Sequence, residues 1–254
     1  MTGTTPILEL AGVAHAFGGL AVLGDVSFNV SAGSISGLLG PNGSGKTTLF
    51  NIVSGFLSPK AGEIRMDGRP ITNLPVQQRS RSGLVRTFQT PKVFGHMSVA
   101  ENVAMGLYGA TQSCFFSSML RTPAERREAR HMAEATEAMM ERFGLTRVRK
   151  VRAGELPAGQ QRIVELARAR MATPRLLLLD EPSSGLSQEE TWRLREWIEI
   201  LAGEGITILL VSHDMGLMEV CSEVHVLYFG KIIASGSMAD IQADAAVRDA
   251  YLGG

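Results

Sequence analysis

Cysteine is nearly absent: 254 residues carry two, Cys114 and Cys221, far apart and in no metal-ligand spacing. That argues against a disulfide framework and fits reduced thiols in a cytosolic protein. An excess of either charge is also missing. Twenty-five Lys and Arg balance 25 Asp and Glu, so no overall basic footprint points to nucleic acid. No apolar run approaches the roughly 20 residues that span a bilayer. The opening residues show no basic-then-apolar leader pattern. The expectation is a chain that does not cross a membrane, though it is free to dock on one. Repeats and low-complexity tracts are absent too. The length suits one large domain, or a domain with a subdomain, and a hydrophobic content of 44% supplies a sizeable core.

Glycine, by contrast, is concentrated where chemistry needs it. Gly40-Pro41-Asn42-Gly43-Ser44-Gly45-Lys46-Thr47-Thr48 fits G-x-x-x-x-G-K-[ST] in full. Ile35 to Leu39 before it reads as a buried strand, and Leu49, Phe50, Ile52 and Val53 after it recur at helical spacing. Glycine lets successive N–H groups curl toward one anion, and a helix N-terminus adds roughly half a positive charge. In such a loop Lys46 reaches the β- and γ-phosphates and the Thr47 hydroxyl holds Mg²⁺. Asn42-Gly43-Ser44 also matches a glycosylation acceptor, but that Asn would lie under a nucleotide.

Ahead of this loop, Ile7 to Val13 and the alternating stretch Val22 to Val30 read as strands around a Phe17-Gly18-Gly19 turn. Phe17 suits stacking on an adenine ring or plain packing equally. Downstream, Gly62 to Gly68 reads as a short strand and tight turn, and Val85-Arg86-Thr87-Phe88-Gln89 as a strand ending in a polar residue that is ordinarily solvated. From about residue 90 helices take over. Ser98-Val99-Ala100-Glu101 and Thr122-Pro123-Ala124-Glu125 fit the capping box. Met132, Ala135, Met139, Met140 and Phe143 share a helix face, and Gly144 suits a C-cap. Cys114-Phe115-Phe116 reads either as an exposed contact or as core. Residues 121 to 152 hold nine Arg or Lys against five Glu. That pattern fits a solvated helix face, or a surface for membrane head groups or an acidic partner loop.

The remaining signals are acidic. Glu155-Leu156-Pro157-Ala158-Gly159-Gln160-Gln161-Arg162 leads into a helix, Ile163 to Met171. Leu176 to Leu179 is an apolar strand ending in Asp180 and Glu181. Beside a phosphate loop, Asp180 suits a Mg²⁺ site and Glu181 suits orienting or deprotonating the attacking water. Ser187-Gln188-Glu189-Glu190 is another capping box. Ile206 to Val211 ends at Ser212-His213-Asp214, which puts His213 at a C-terminal strand edge, where ligands bind in α/β sheets. His15, His96, His131 and His225 have no assignable partners. Val224 to Phe229 and Lys231 to Ala234 read as a hairpin around Gly230, and the tail as a short helix.

In this order and spacing the pieces resemble the ATP-binding subunit of an ABC transporter, over nearly the whole length. The finer resemblance is to the branched-chain amino-acid importer group and its amide and urea relatives, through Phe17-Gly18-Gly19-Leu20, Arg86 to Gln89, Gly185-Leu186 and Ala250-Tyr251-Leu252-Gly253. The resemblance implies an α/β P-loop NTPase of ABC type. It would have a mixed-sheet core and antiparallel β subdomain (1–89 and 160–254) and a helical subdomain (about 90–159). It assigns ATP to Gly40, Pro41, Asn42, Gly43, Ser44, Gly45, Lys46, Thr47 and Thr48, with Phe17 on the adenine. Mg²⁺ goes to Thr47, Gln89 and Asp180, the water to Glu181 and Gln89, and the γ-phosphate to His213. Gly159 and Gln160 belong to the signature loop, which completes a partner's ATP site. The implied partners are a second ATP-binding subunit, membrane permease subunits and, indirectly, a periplasmic or extracellular solute-binding protein. The implied place is the cytoplasmic face of the inner membrane.

Two residues depart from the family pattern Leu-Ser-Gly-Gly-Gln: Pro157 replaces the serine and Ala158 the first glycine. Pro157 offers a γ-phosphate neither hydroxyl nor N–H, although proline suits a helix start. Ser187 stands where many relatives place an acid. An intact phosphate loop beside an altered signature favours an asymmetric heterodimer over a homodimer. The alternative reading is a soluble ABC-type ATPase in cofactor assembly or another non-transport role.

Overall fold

The computed structural model describes residues 6–107 and 123–252. They form two compact units, one from the segments up to Gln89 and from Arg175 onward, the other from Thr90–Pro174.

In the first unit, β1 (Pro6–Phe17) and β2 (Leu20–Ser31) pair antiparallel across the Gly18-Gly19 turn. β3 (Ile35–Leu39), α1 (Lys46–Ser54), β4 (Ala61–Met66), β5 (Arg69–Pro70), α2 (Val76–Arg81) and β6 (Leu84–Arg86) follow. The four-stranded antiparallel sheet runs β2-β1-β4-β5. β1 and β2 both exceed their expected lengths because their alternation continues into the turn.

In the second unit, the capping box of Ser98 and Glu101 opens α3 (Val99–Ala104). α4 (Pro123–Arg142) ends near Gly144, whose φ of 66° is left-handed. α5 (Ala158–Met171) follows. Met140 and Phe143 are buried, as the helical spacing predicts. α5 begins five residues earlier than its apolar periodicity suggests, because Pro157 stands at the N-cap in extended conformation. Gly106, just past α3, lets the chain lie against α5, where a Cβ would meet the Arg168 carbonyl. Thr122 and Cys114-Phe115-Phe116 lie outside the described residues.

The chain returns to the first unit through β7 (Leu176–Asp180), α6 (Gln188–Gly203), β8 (Thr207–Val211), α7 (Met215–Met218), β9 (Glu223–Tyr228), β10 (Lys231–Gly236), α8 (Met238–Ala243) and α9 (Ala245–Leu252). The second sheet runs β10-β9-β3-β8-β7-β6. It is parallel except for the β9–β10 hairpin, hence mixed. β3, β7 and β8 are buried at every position, which explains their unbroken apolar runs. Their C-terminal ends carry the phosphate loop, Asp180-Glu181 and His213.

The helix that follows the loop is held at its far end by Arg79. This buried guanidinium donates to the Ile52 and Val53 carbonyls of the last turn of α1, at 2.6 and 2.7 Å, and to Leu74 and Thr72 at 2.8 Å each. Burial pushes its pKa down to about 10, still far above neutrality. Stranding a buried acceptor costs roughly 1–3 kcal/mol. Arg79→Met is therefore expected to destabilise the protein by about 3 kcal/mol or more, read as a lower urea midpoint at unchanged slope.

Candidate functional site: a phosphate cradle with two restrained carboxylates

Lys46 opens α1 and turns back onto its own loop. Its Nζ donates to the Gly40 carbonyl at 2.6 Å and the Pro41 carbonyl at 3.0 Å. The ammonium is buried. Desolvation pulls its pKa below the ordinary lysine value, against the raising pull of Glu181 and then Asp180. The loop is braced from behind: the Gly230 N–H donates to the Ser44 carbonyl at 3.0 Å, and the Gly24 N–H to the Gly230 carbonyl at 2.8 Å. This close stacking explains two glycines. A Cβ at Gly40 would press on the Leu227 carbonyl and lie 2.7 Å from Ser44 Oγ. One at Gly45 would lie 2.7 Å from Leu23 Cδ2, and its φ is 107°.

The cradle lacks an anion of its own. α1 has no side-chain cap and no acid in its first turn, so its first N–H groups are left without such an acceptor. Ser44 Oγ is buried with no hydrogen-bond partner. A desolvated ammonium, a helix N-terminus and an orphaned hydroxyl in one loop fit a phosphate group. Asn42, Gly43 and Thr47 are exposed.

Two carboxylates lie at the end of β7, one strand beyond β8 from the loop-bearing β3, each held by one base. Asp180 Oδ2 accepts from Arg86 Nη2 at 2.7 Å, with both side chains buried. Glu181 is buried and left-handed, at φ 45°, a strained position pinned by its N–H on the Val211 carbonyl at 2.9 Å. Its Oε2 lies 2.7 Å from His213 Nδ1, while the His213 side chain is 66% exposed. The hydroxyl of Thr47 and the carboxylate of Asp180 are hard oxygen donors of the kind Mg²⁺ takes, so the residues fit that ion.

The structure thus brings Lys46, Asp180, Glu181 and His213 into one electrostatic neighbourhood. Gln89 is exposed and lies three residues past β6, which ends at Arg86 instead of Gln89. Past Arg86, the Thr87 N–H still donates to the Leu178 carbonyl at 2.9 Å. Phe17 is exposed at the tip of the β1–β2 hairpin, edge-on to His15 with centroids 4.7 Å apart. In the second unit, Gly159 and Gln160 occupy the first turn of α5, the former buried and the latter exposed. Gln161 Nε2 donates to the Leu156 carbonyl at 2.8 Å. Arg86 appears in the sequence only as part of a strand and of a family resemblance, and its place beside Asp180 is visible only in the fold. An arginine within a short strand of a buried sheet was the available signal.

Comparison with known proteins agrees with this geometry. The ABC transporter family matches residues 23–184, and the chain belongs to that family. A crystal structure of an ATP-binding cassette of an ABC transporter in its ADP conformation is similar at a TM-score of 0.84 and 30% identity, over 99% of this chain and 100% of that one. Within the family, the chain's place is with the branched-chain amino-acid group. It is 39% identical, over 98% of both chains, to the high-affinity branched-chain amino acid transport ATP-binding protein BraF of Pseudomonas aeruginosa. Residues 231–254 match the C-terminal family described as branched-chain amino acid ATP-binding cassette transporter. A lipopolysaccharide export system ATP-binding protein, LptB of Acidithiobacillus ferridurans, is 36% identical over 91% of this chain and 90% of that one.

Because a Cβ at Gly40 has backbone on one side and Ser44 on the other, Gly40→Ala is expected to lower the melting temperature by several degrees and abolish ATP binding. A thermal scan with and without Mg-ATP checks both: the variant melts early and shows no ligand shift.

Proposed function

We propose that this chain is the ATP-hydrolysing subunit that powers import of branched-chain amino acids, or similar small polar solutes, through partner membrane subunits. The observation that carries the hydrolytic part is the Glu181–His213 contact at 2.7 Å, on strands that end beside the Lys46 loop. The C-terminal match at residues 231–254 carries the cargo class, since overall identity to an export protein is nearly as high. The same match and the transporter relatives disfavour a soluble assembly role.

In this reading the loop Gly40 to Thr48 binds the triphosphate, Lys46 leaves its two carbonyls for the β- and γ-phosphates, and Phe17 stacks on the adenine. Thr47, Asp180 and Gln89 hold Mg²⁺, which neutralises phosphate charge when bound. Glu181 takes the proton of the attacking water, and His213 holds that carboxylate in place and contacts the γ-phosphate. Gln89 links the site to the permease. No described helix is long and apolar enough to cross a membrane; the transporter relatives support peripheral docking on permease subunits at the cytoplasmic face. A separate solute-binding protein selects the cargo.

The second ATP-binding subunit is a different chain in this reading. Gly159 and Gln160 face its nucleotide, but Pro157 brings no N–H or hydroxyl, and a charge-assisted hydrogen bond is worth roughly 1.5–3 kcal/mol. The site completed by this chain's signature is the weaker one. In the assembled transporter, Glu181→Gln is expected to lower ATPase activity by about 100-fold or more while Mg-ATP binding persists. The equivalent substitution in the partner lowers it less. Equal losses remove the asymmetry, and an unaffected rate removes Glu181 from the chemistry.

A further inference from the structure

Arg86 is built into the site more firmly than a surface ion pair requires. Its Nη2 holds Asp180 at 2.7 Å, and its Nη1 donates to Asn51 Oδ1 at 2.7 Å and Ser54 Oγ at 2.8 Å, both on α1. Three rings surround its guanidinium, with centroids at 5.0 Å for Phe88, 5.7 Å for Phe50 and 5.9 Å for Phe56. Both partners of the ion pair are nearly inaccessible to solvent. A guanidinium is a planar fork of donors, and here two of its nitrogens are committed to Asp180, Asn51 and Ser54.

We propose that Arg86 is a positioning residue that neutralises Asp180 while the cradle is empty and makes divalent-cation binding conditional on the triphosphate. This rests on the reading of Asp180 as a metal carboxylate. A divalent ion approaching Asp180 meets a carboxylate already paired with the buried Arg86 guanidinium. With Asp180 Oδ2 already taken, the net attraction is small. A bound triphosphate adds several negative charges to the cradle, and the balance reverses. The nucleotide-free subunit therefore does not sequester the cation, which enters with the nucleotide. The same contacts fix Asp180 relative to α1, whose first two residues are Lys46 and Thr47. They also place Phe88, and so the start of the segment leading to Gln89, against the same guanidinium.

The test titrates the nucleotide-free full chain with Mn²⁺, following the free ion by electron paramagnetic resonance. Arg86→Gln is expected to bind Mn²⁺ at least tenfold more tightly than the wild type. Arg86→Lys, which keeps the charge, stays with the wild type, and Arg86→Gln combined with Asp180→Asn returns to weak binding. Arg86→Met, which suits the aromatic surroundings, serves if the glutamine variant does not fold. Equal Mn²⁺ affinities of wild type and neutral variant overturn the proposal, as does tight binding that survives loss of Asp180. Mn-ATP binding by Asp180→Asn separates the two levels. If its metal dependence is weakened while the Mn²⁺ affinities above are equal, the role of Arg86 fails alone. If its metal dependence is unchanged, the assignment of Asp180 fails with it.

Discussion

Everything in the site follows from one buried cation that has no counterion within its own loop. Lys46 is held by two carbonyl oxygens, Gly40 and Pro41, which take two of its three donors but leave its charge unbalanced. The loop stays in that shape because its backbone is pressed against β2 and the β9–β10 turn, so closely that a Cβ at Gly40 or Gly45 has no room. An anion with several oxygens supplies what the carbonyls cannot. Family membership gives that anion its identity as a nucleotide phosphate.

The two acids beside this cation are treated differently, and the difference separates their roles. Asp180 is paired with the Arg86 guanidinium among the rings of Phe50, Phe56 and Phe88. Glu181 is paired with an exposed imidazole and sits on strained backbone. The first arrangement fixes a carboxylate and balances its charge. The second leaves a carboxylate beside a group that reaches solvent, as proton transfer with water needs. Two adjacent residues thus reach different environments, because Asp180 is the last residue of β7 while Glu181, just past it, turns into left-handed backbone.

Much of this is legible in the chain itself. β3, β7 and β8 announce themselves as apolar runs, since both faces of a parallel sheet are buried. The capping boxes at Ser98 and Ser187 are local chemistry and form as written. The loop is legible because glycine spacing records backbone geometry directly. What escapes is tertiary. Arg86 and Arg79 look like ordinary charged residues, and only the fold puts carbonyls, carboxylates and rings around them. The early start of α5 escapes because an N-cap proline sets it, not the apolar period. The end of β6 escapes because pairing with β7 stops there while the residue pattern continues.

The most direct measurement is equilibrium binding of Mg-ATP to the purified chain beside its Lys46→Met variant, with folding of both verified by circular dichroism. If the loop is an anion cradle centred on that ammonium, the wild type binds. The variant, missing charge-assisted contacts worth about 3 kcal/mol, then binds roughly a hundredfold more weakly. Equal affinity in the two proteins would contradict the account at its base.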